Sequence, residues 1–135
     1  MEQWGINLNM FSMTKNLHLT LSAILVFIIA LTYGLFPDRI LPELFDFRVE
    51  TIDLKQVFRA IMGLYLGTVS LWCIGVIKPA FWRIATLSNV FFMGGLAAGR
   101  FVSLVVDGIP SVYFSVGLVV ELIFACWGIG NLKKY

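Results

Sequence analysis

The fold class predicted by this sequence is all-α, a bundle of four transmembrane helices, and three observations predict it. Of its 135 residues, 59% are hydrophobic and only 13% are charged, which leaves too little polar surface to cover a soluble globule. The apolar residues gather into four runs, each close to the roughly 20 residues that cross a bilayer core as a helix. Prolines, glycines and charged residues mark the breaks between those runs. A single domain is expected at this length. The net charge of +2 is too small to suggest a nucleic-acid partner. The lipid bilayer is the expected one.

Residues 1–16 form a mixed polar and aromatic lead-in. Trp4 and Phe11 suit the membrane surface, as a short interfacial helix or as a loose tail. The transmembrane domain then spans 17–135. Its first crossing, 17–36, is almost unbroken apolar sequence and ends at Tyr33, Gly34, Leu35, Phe36 and Pro37. A secretory signal would have a shorter apolar core and a small-residue cleavage site, so this segment is expected to be retained. Residues 38–55 alternate Ile40, Leu41, Leu44, Phe45, Phe47 and Val49 with Asp38, Arg39, Glu43, Asp46, Arg48 and Glu50, a mixture suited to lying on headgroups. The second crossing, 54–77, carries Arg59 near its start and is closed by Lys78 and Pro79. The third runs over 80–106. Gly108 and Pro110 make a turn, and the fourth occupies 111–132 before Lys133 and Lys134.

Four crossings leave both termini on one side. Lys15, Lys78, Arg83, Lys133 and Lys134 fall there with Glu2 as the only acid, so the positive-inside rule makes that side cytoplasmic. Cys73 and Cys126 stand alone in apolar runs without CxxC spacing and are expected to be buried thiols.

Residues 53–72, DLKQVFRAIMGLYLGTVSLW, residues 92–111, FMGGLAAGRFVSLVVDGIPS, and Glu121 in the last crossing together resemble the DUF4345 family of small four-helix membrane proteins. The resemblance covers about residue 33 to the end. It implies the four-helix fold and points to Arg59, Gly63, Gly67, Arg100, Ser103, Asp107, Gly108, Pro110 and Glu121 as recurring positions, without giving any of them a role.

Helical spacing groups these residues by face. Arg59, Gly63 and Gly67 align along the second crossing, Arg100, Ser103 and Asp107 along the third, and Tyr113, Gly117 and Glu121 along the fourth. At 1.5 Å per residue from the turn near Ile109, Arg100 lies ~13 Å and Glu121 ~18 Å deep, with Asp107 at the rim and Arg59 shallow. A charge at such depth is costly unless it faces inward and pairs. Arg100 with Glu121 is the expected pair. Gly63, Gly67, Gly94, Gly95, Gly99 and Gly117 are expected to let helices approach closely.

A membrane bundle needs no charges to hold together, so several in one bundle suggest a water-accessible pocket. One class of function is binding of, or chemistry on, an amphiphilic small molecule or lipid. Asp107 or Glu121 would then be the acid or base, Arg59 or Arg100 would hold an anionic or carbonyl group, and Ser103 and Tyr113 would complete the polar lining. Asp107 and Arg59 would form the mouth, and the apolar body would lie between the second, third and fourth crossings. A second class is transport by a homo-oligomer. The small multidrug-resistance exporters match in length and helix count but use a glutamate in the first helix, where this chain has no acid. A third class is a structural or accessory subunit of a larger membrane complex, its ion pairs clamping the bundle.

Other chemistries lack their residues. His18 is the sole histidine, too few for an iron-dependent membrane oxygenase, and is expected at the interface rather than as a metal ligand. There is no GxxxxGK or GxSxG motif, and Ser103 beside Asp107 has no histidine partner for a hydrolase. Trp72, Trp82 and Trp127 suit interface anchoring or packing. No cofactor is indicated.

Overall fold

In the computed structural model, residues 2–135 are described, with side chains from Met13 onward; the surface positions expected for Trp4 and Phe11 lie outside those side chains. Helix α1 spans Glu2–Gly34, α2 Pro37–Leu44, α3 Ile52–Ile77, α4 Trp82–Val106 and α5 Val112–Lys134, with one 3-10 turn at Pro79–Phe81. No strand occurs among the described residues. Four segments are long and apolar enough to cross a membrane: Met13–Gly34, Ile52–Ile77, Pro79–Val106 and Val112–Lys134. The chain is a multi-pass helical membrane protein. Its two ends are called here the Pro79 end, which also holds both termini, and the Pro110 end, which also holds α2.

Local chemistry explains the breaks. Pro37 opens α2, where its missing N–H costs nothing. Thr51 caps α3 by accepting the Leu54 N–H at 3.1 Å, and Asp53 sits in the first turn against the positive end of the helix dipole. Pro79 cannot extend α3. Gly108 makes the α4–α5 turn with φ at +99°, a conformation that side-chain-bearing residues rarely adopt.

Helix α1 packs mainly on α3 and α4 mainly on α5, and the α3–α4 contact joins the two pairs. That contact is tight near the Pro79 end. Trp72 is fully buried there, its indole N–H donates to Ser88 Oγ at 3.0 Å, and its ring meets Phe92 edge-on at 5.4 Å. A Cβ on Gly75 would collide with that of Ala85, so glycine sets the helix separation.

The predicted headgroup segment folds back on the Pro110 end. Pro37 and Leu41 are buried, and Phe45 reaches the rings of Tyr33 and Phe114. Lys55 Nζ donates to Asp38 Oδ2 at 2.8 Å, tying α2 to α3, and this bond holds the Asp38 carboxyl below its usual range.

Two expectations need correction. Cys73 and Cys126 are exposed free thiols on outward helix faces, because a membrane bundle is apolar outside as well as inside and a thiol gains little by burial. His18, expected as an interfacial residue, is instead fully buried between the helices, held by a hydrogen bond to the Phe124 carbonyl at 2.9 Å. Of the glycines expected at helix contacts, a Cβ on Gly63, Gly67, Gly94, Gly95 or Gly99 would meet nothing within 4 Å. Any close approach these five permit is to groups other than the described residues.

Candidate functional site

Arg100 lies on the face of α4 that also buries Met93 and Ala97, and Glu121 lies on the face of α5 that buries Ala125 and Gly128. Since α4 and α5 run antiparallel from the Gly108 turn, the two faces meet, with Arg100 in the part of α4 nearer the Pro110 end and Glu121 near the middle of α5. Arg100 Nε donates to both Glu121 carboxylate oxygens, at 2.8 and 2.9 Å. Glu121 is only 7% exposed, so the contact satisfies a carboxylate that hydrocarbon would otherwise strand. The guanidinium carbon also sits 5.1 Å from the centre of the Phe114 ring, within cation–π range. Gly117 lies beside it: an added Cβ would come to 3.5 Å from Arg100 Cζ, an ordinary contact.

This pair forms one wall of a cavity of about 330 Å³. Helix α1 supplies Leu25, Val26, Ile29, Thr32 and Tyr33, while Leu44 and Phe45 come from the end of α2. Tyr65 is the contribution of α3, and α4 gives Met93, Leu96 and Arg100. The α5 wall is Tyr113, Phe114, Val116, Gly117, Val120 and Glu121. An aromatic cluster frames the Pro110 side, with Phe45 stacked on Phe114 at 4.6 Å and edge-on to Tyr113 at 6.1 Å. The space is therefore mainly apolar, with an ion pair on one wall and tyrosines around it.

Arg100, Tyr113, Gly117 and Glu121 are thus gathered at one cavity. Arg59, Ser103 and Asp107 are exposed and absent from its lining. Ser103 Oγ donates to Asp107 Oδ2 at 2.8 Å, and Arg59 has no hydrogen bond or ion pair among the described residues. The cavity body also differs in place from the sequence expectation. It opens between α1, α4 and α5 instead of between α3, α4 and α5, because α3 is drawn against α1 and only Tyr65 reaches the space. Tyr33, Phe45 and Phe114 also line the cavity, but they carry no charge, and nothing in their spacing separates them from ordinary apolar lining in the sequence.

Four apolar helices with a buried glutamate paired to a half-buried arginine between two of them define a small multi-pass membrane protein with a polar centre inside its bundle. The family model described as "Domain of unknown function (DUF4345)" matches residues 14–130. The chain belongs to that family, and the match extends over the apolar part of α1 as well as the later helices. No curated protein and no solved structure matches the chain.

Proposed function

We propose that this protein binds an amphiphilic small molecule or lipid in the cavity between α1, α4 and α5. The observation that supports this is the cavity itself, about 330 Å³ and mainly apolar, ending on a buried ion pair. That size lies at the lower end of small-molecule sites, which combine apolar walls with a few placed polar groups. Glu121 engages Arg100 through Nε, and Tyr33 also interacts with the guanidinium, so the terminal nitrogens, together with the Tyr33 hydroxyl, would hold a carbonyl or anionic group. Glu121, the one carboxylate in the lining, is the group placed to exchange a proton with a guest. Tyr33 and Tyr113 add hydroxyls to the lining, and the tail would lie along Leu25, Ile29 and Val116.

The test is native mass spectrometry of protein purified in mild detergent. Wild type is expected to carry a small amphiphile, and Gly117→Leu, whose side chain extends into the space beside Arg100, is expected to lose it. Asp107→Asn and Arg59→Gln should retain it, since neither residue lines the cavity. An empty wild type, or equal loss in all three variants, would reject the reading. A retained second copy or larger subunit would instead favour assembly, for which the open faces of Gly63 and Gly67 below the unpaired Arg59 speak.

We also infer that the Pro79 end faces the cytoplasm, because Lys15, Lys78, Arg83, Lys133 and Lys134 collect there. With Cys73 and Cys126 removed, a cysteine at Glu43 should react with an impermeant thiol reagent in intact cells while one at Asn131 stays shielded. The reverse pattern would invert the orientation.

A further inference from the structure

A second polar cluster lies towards the Pro79 end, and none of its residues lines the cavity. His18 and Ser22 of α1 and Asn89 of α4 are each 0% exposed, and Asn131 of α5 is 7% exposed. His18 Nε2 lies 2.9 Å from the Phe124 carbonyl oxygen. A carbonyl only accepts, so Nε2 carries the proton, and the neutral ring presents Nδ1 as a bare acceptor. The imidazole is wedged against α5, edge-on to Trp127 at 5.3 Å, where a Cβ on Gly128 would press on the ring.

The remaining polar atoms have no partner among the described residues. His18 Nδ1, Ser22 Oγ, both amide atoms of Asn89 and Asn131 Nδ2 are all buried and unsatisfied. Between helices in a membrane no bulk water reaches such atoms, so several together imply a guest that supplies the missing bonds. The set is balanced: His18 Nδ1 and Asn89 Oδ1 need donors, the two amide nitrogens need acceptors, and the Ser22 hydroxyl does both. It contains no carboxylate to hold a cation and no positive charge to hold an anion; Lys15, at this end, lies over the Trp82 ring at 4.2 Å. The occupant that both donates and accepts, carries no charge and fits among side chains is water.

We infer that His18, Ser22, Asn89 and Asn131 form an internal water site inside the membrane-spanning bundle. It is separate from the amphiphile cavity. Val26 and Met93, one helical turn from Ser22 and Asn89, are 2% and 1% exposed and form part of the cavity lining, and with Ala125 they make an apolar layer between the two polar groups. Water at His18 therefore persists whether or not the cavity holds a guest, and the inference does not rest on the proposed ligand.

Water-edited solid-state NMR on isotopically labelled protein in phosphatidylcholine liposomes tests this, with His18 giving the single histidine signal. The ring of His18 is expected to receive magnetisation from water as fast as surface Asp38, while Ala30, 0% exposed and outside the cavity lining, stays severalfold slower. The double variant Ser22→Ala with Asn89→Leu should slow transfer to His18 severalfold. If His18 in the wild type is as slow as Ala30, the polar atoms pair among themselves and the site is dry. If the double variant leaves the His18 rate unchanged, its water is not held by these residues. Either result overturns the assignment.

Discussion

Replacing Glu121 with leucine is expected to destabilise the bundle by roughly 3 to 5 kcal/mol, the usual cost of leaving one member of a buried ion pair alone. Arg100→Met should cost less, and the order follows from the chemistry of the survivor. An arginine cannot shed its proton, so without Glu121 its charge stays in the bundle. A stranded Glu121 can instead take up a proton and become neutral. Replacing both residues removes the pair together with its desolvation cost, so the double variant should be more stable than the two single losses summed would make it. Unfolding of wild type, both single variants and the double variant in mixed detergent–SDS micelles measures all three differences. Additive losses would show that the contact at 2.8 Å carries no coupling energy. A larger loss for Arg100→Met than for Glu121→Leu would mean that the stranded carboxylate keeps its charge instead of taking up a proton.

Trp72→Ala is expected to cost about 2 to 4 kcal/mol, somewhat below the loss typical of a tryptophan in a soluble core. In lipid the surrounding solvent is itself apolar, so the transfer contribution shrinks and the lost contacts dominate. Those contacts are many here. Trp72 is fully buried at the α3–α4 junction, meets Phe92 edge-on and donates to Ser88. Trp72→Phe should keep most of the ring packing and lose about 1 kcal/mol with the hydrogen bond, because Ser88 still donates to the Ala85 carbonyl at 2.9 Å. The same micelle unfolding separates the two variants. Equal losses would assign the stabilisation to the hydrogen bond, against the packing argument.

Arg59 and Asp107 show how far charge patterning reaches. Spacing along the helices set both at the shallow end of the charge line, and the structure leaves them exposed and outside the cavity. Arg100 and Glu121 were distinguished from them by depth. Counting from the turn near Ile109 put this pair about one helical turn apart along antiparallel helices, and the two side chains do meet. A deep charge must find a partner inside the bundle, whereas a shallow one can reach the headgroups, so the sequence constrains only the deep ones.

The sequence by itself determined the all-α architecture, the four crossings and the breaks at Pro79 and Gly108, because hydrocarbon admits only runs whose backbone polar groups are satisfied internally. It also carried the family resemblance. Only the tertiary structure decided which face of each helix turns inward. In water an amphipathic stripe reveals that face, but these helices are apolar nearly all round, and lipid rewards an outward leucine as much as an inward one. The wall that α1 gives to the cavity, the outward thiols of Cys73 and Cys126 and the burial of His18, Ser22 and Asn89 therefore left little trace in the pattern of residues. Packing shape and the need of buried polar atoms for partners chose them, and both depend on contacts between helices far apart in the chain.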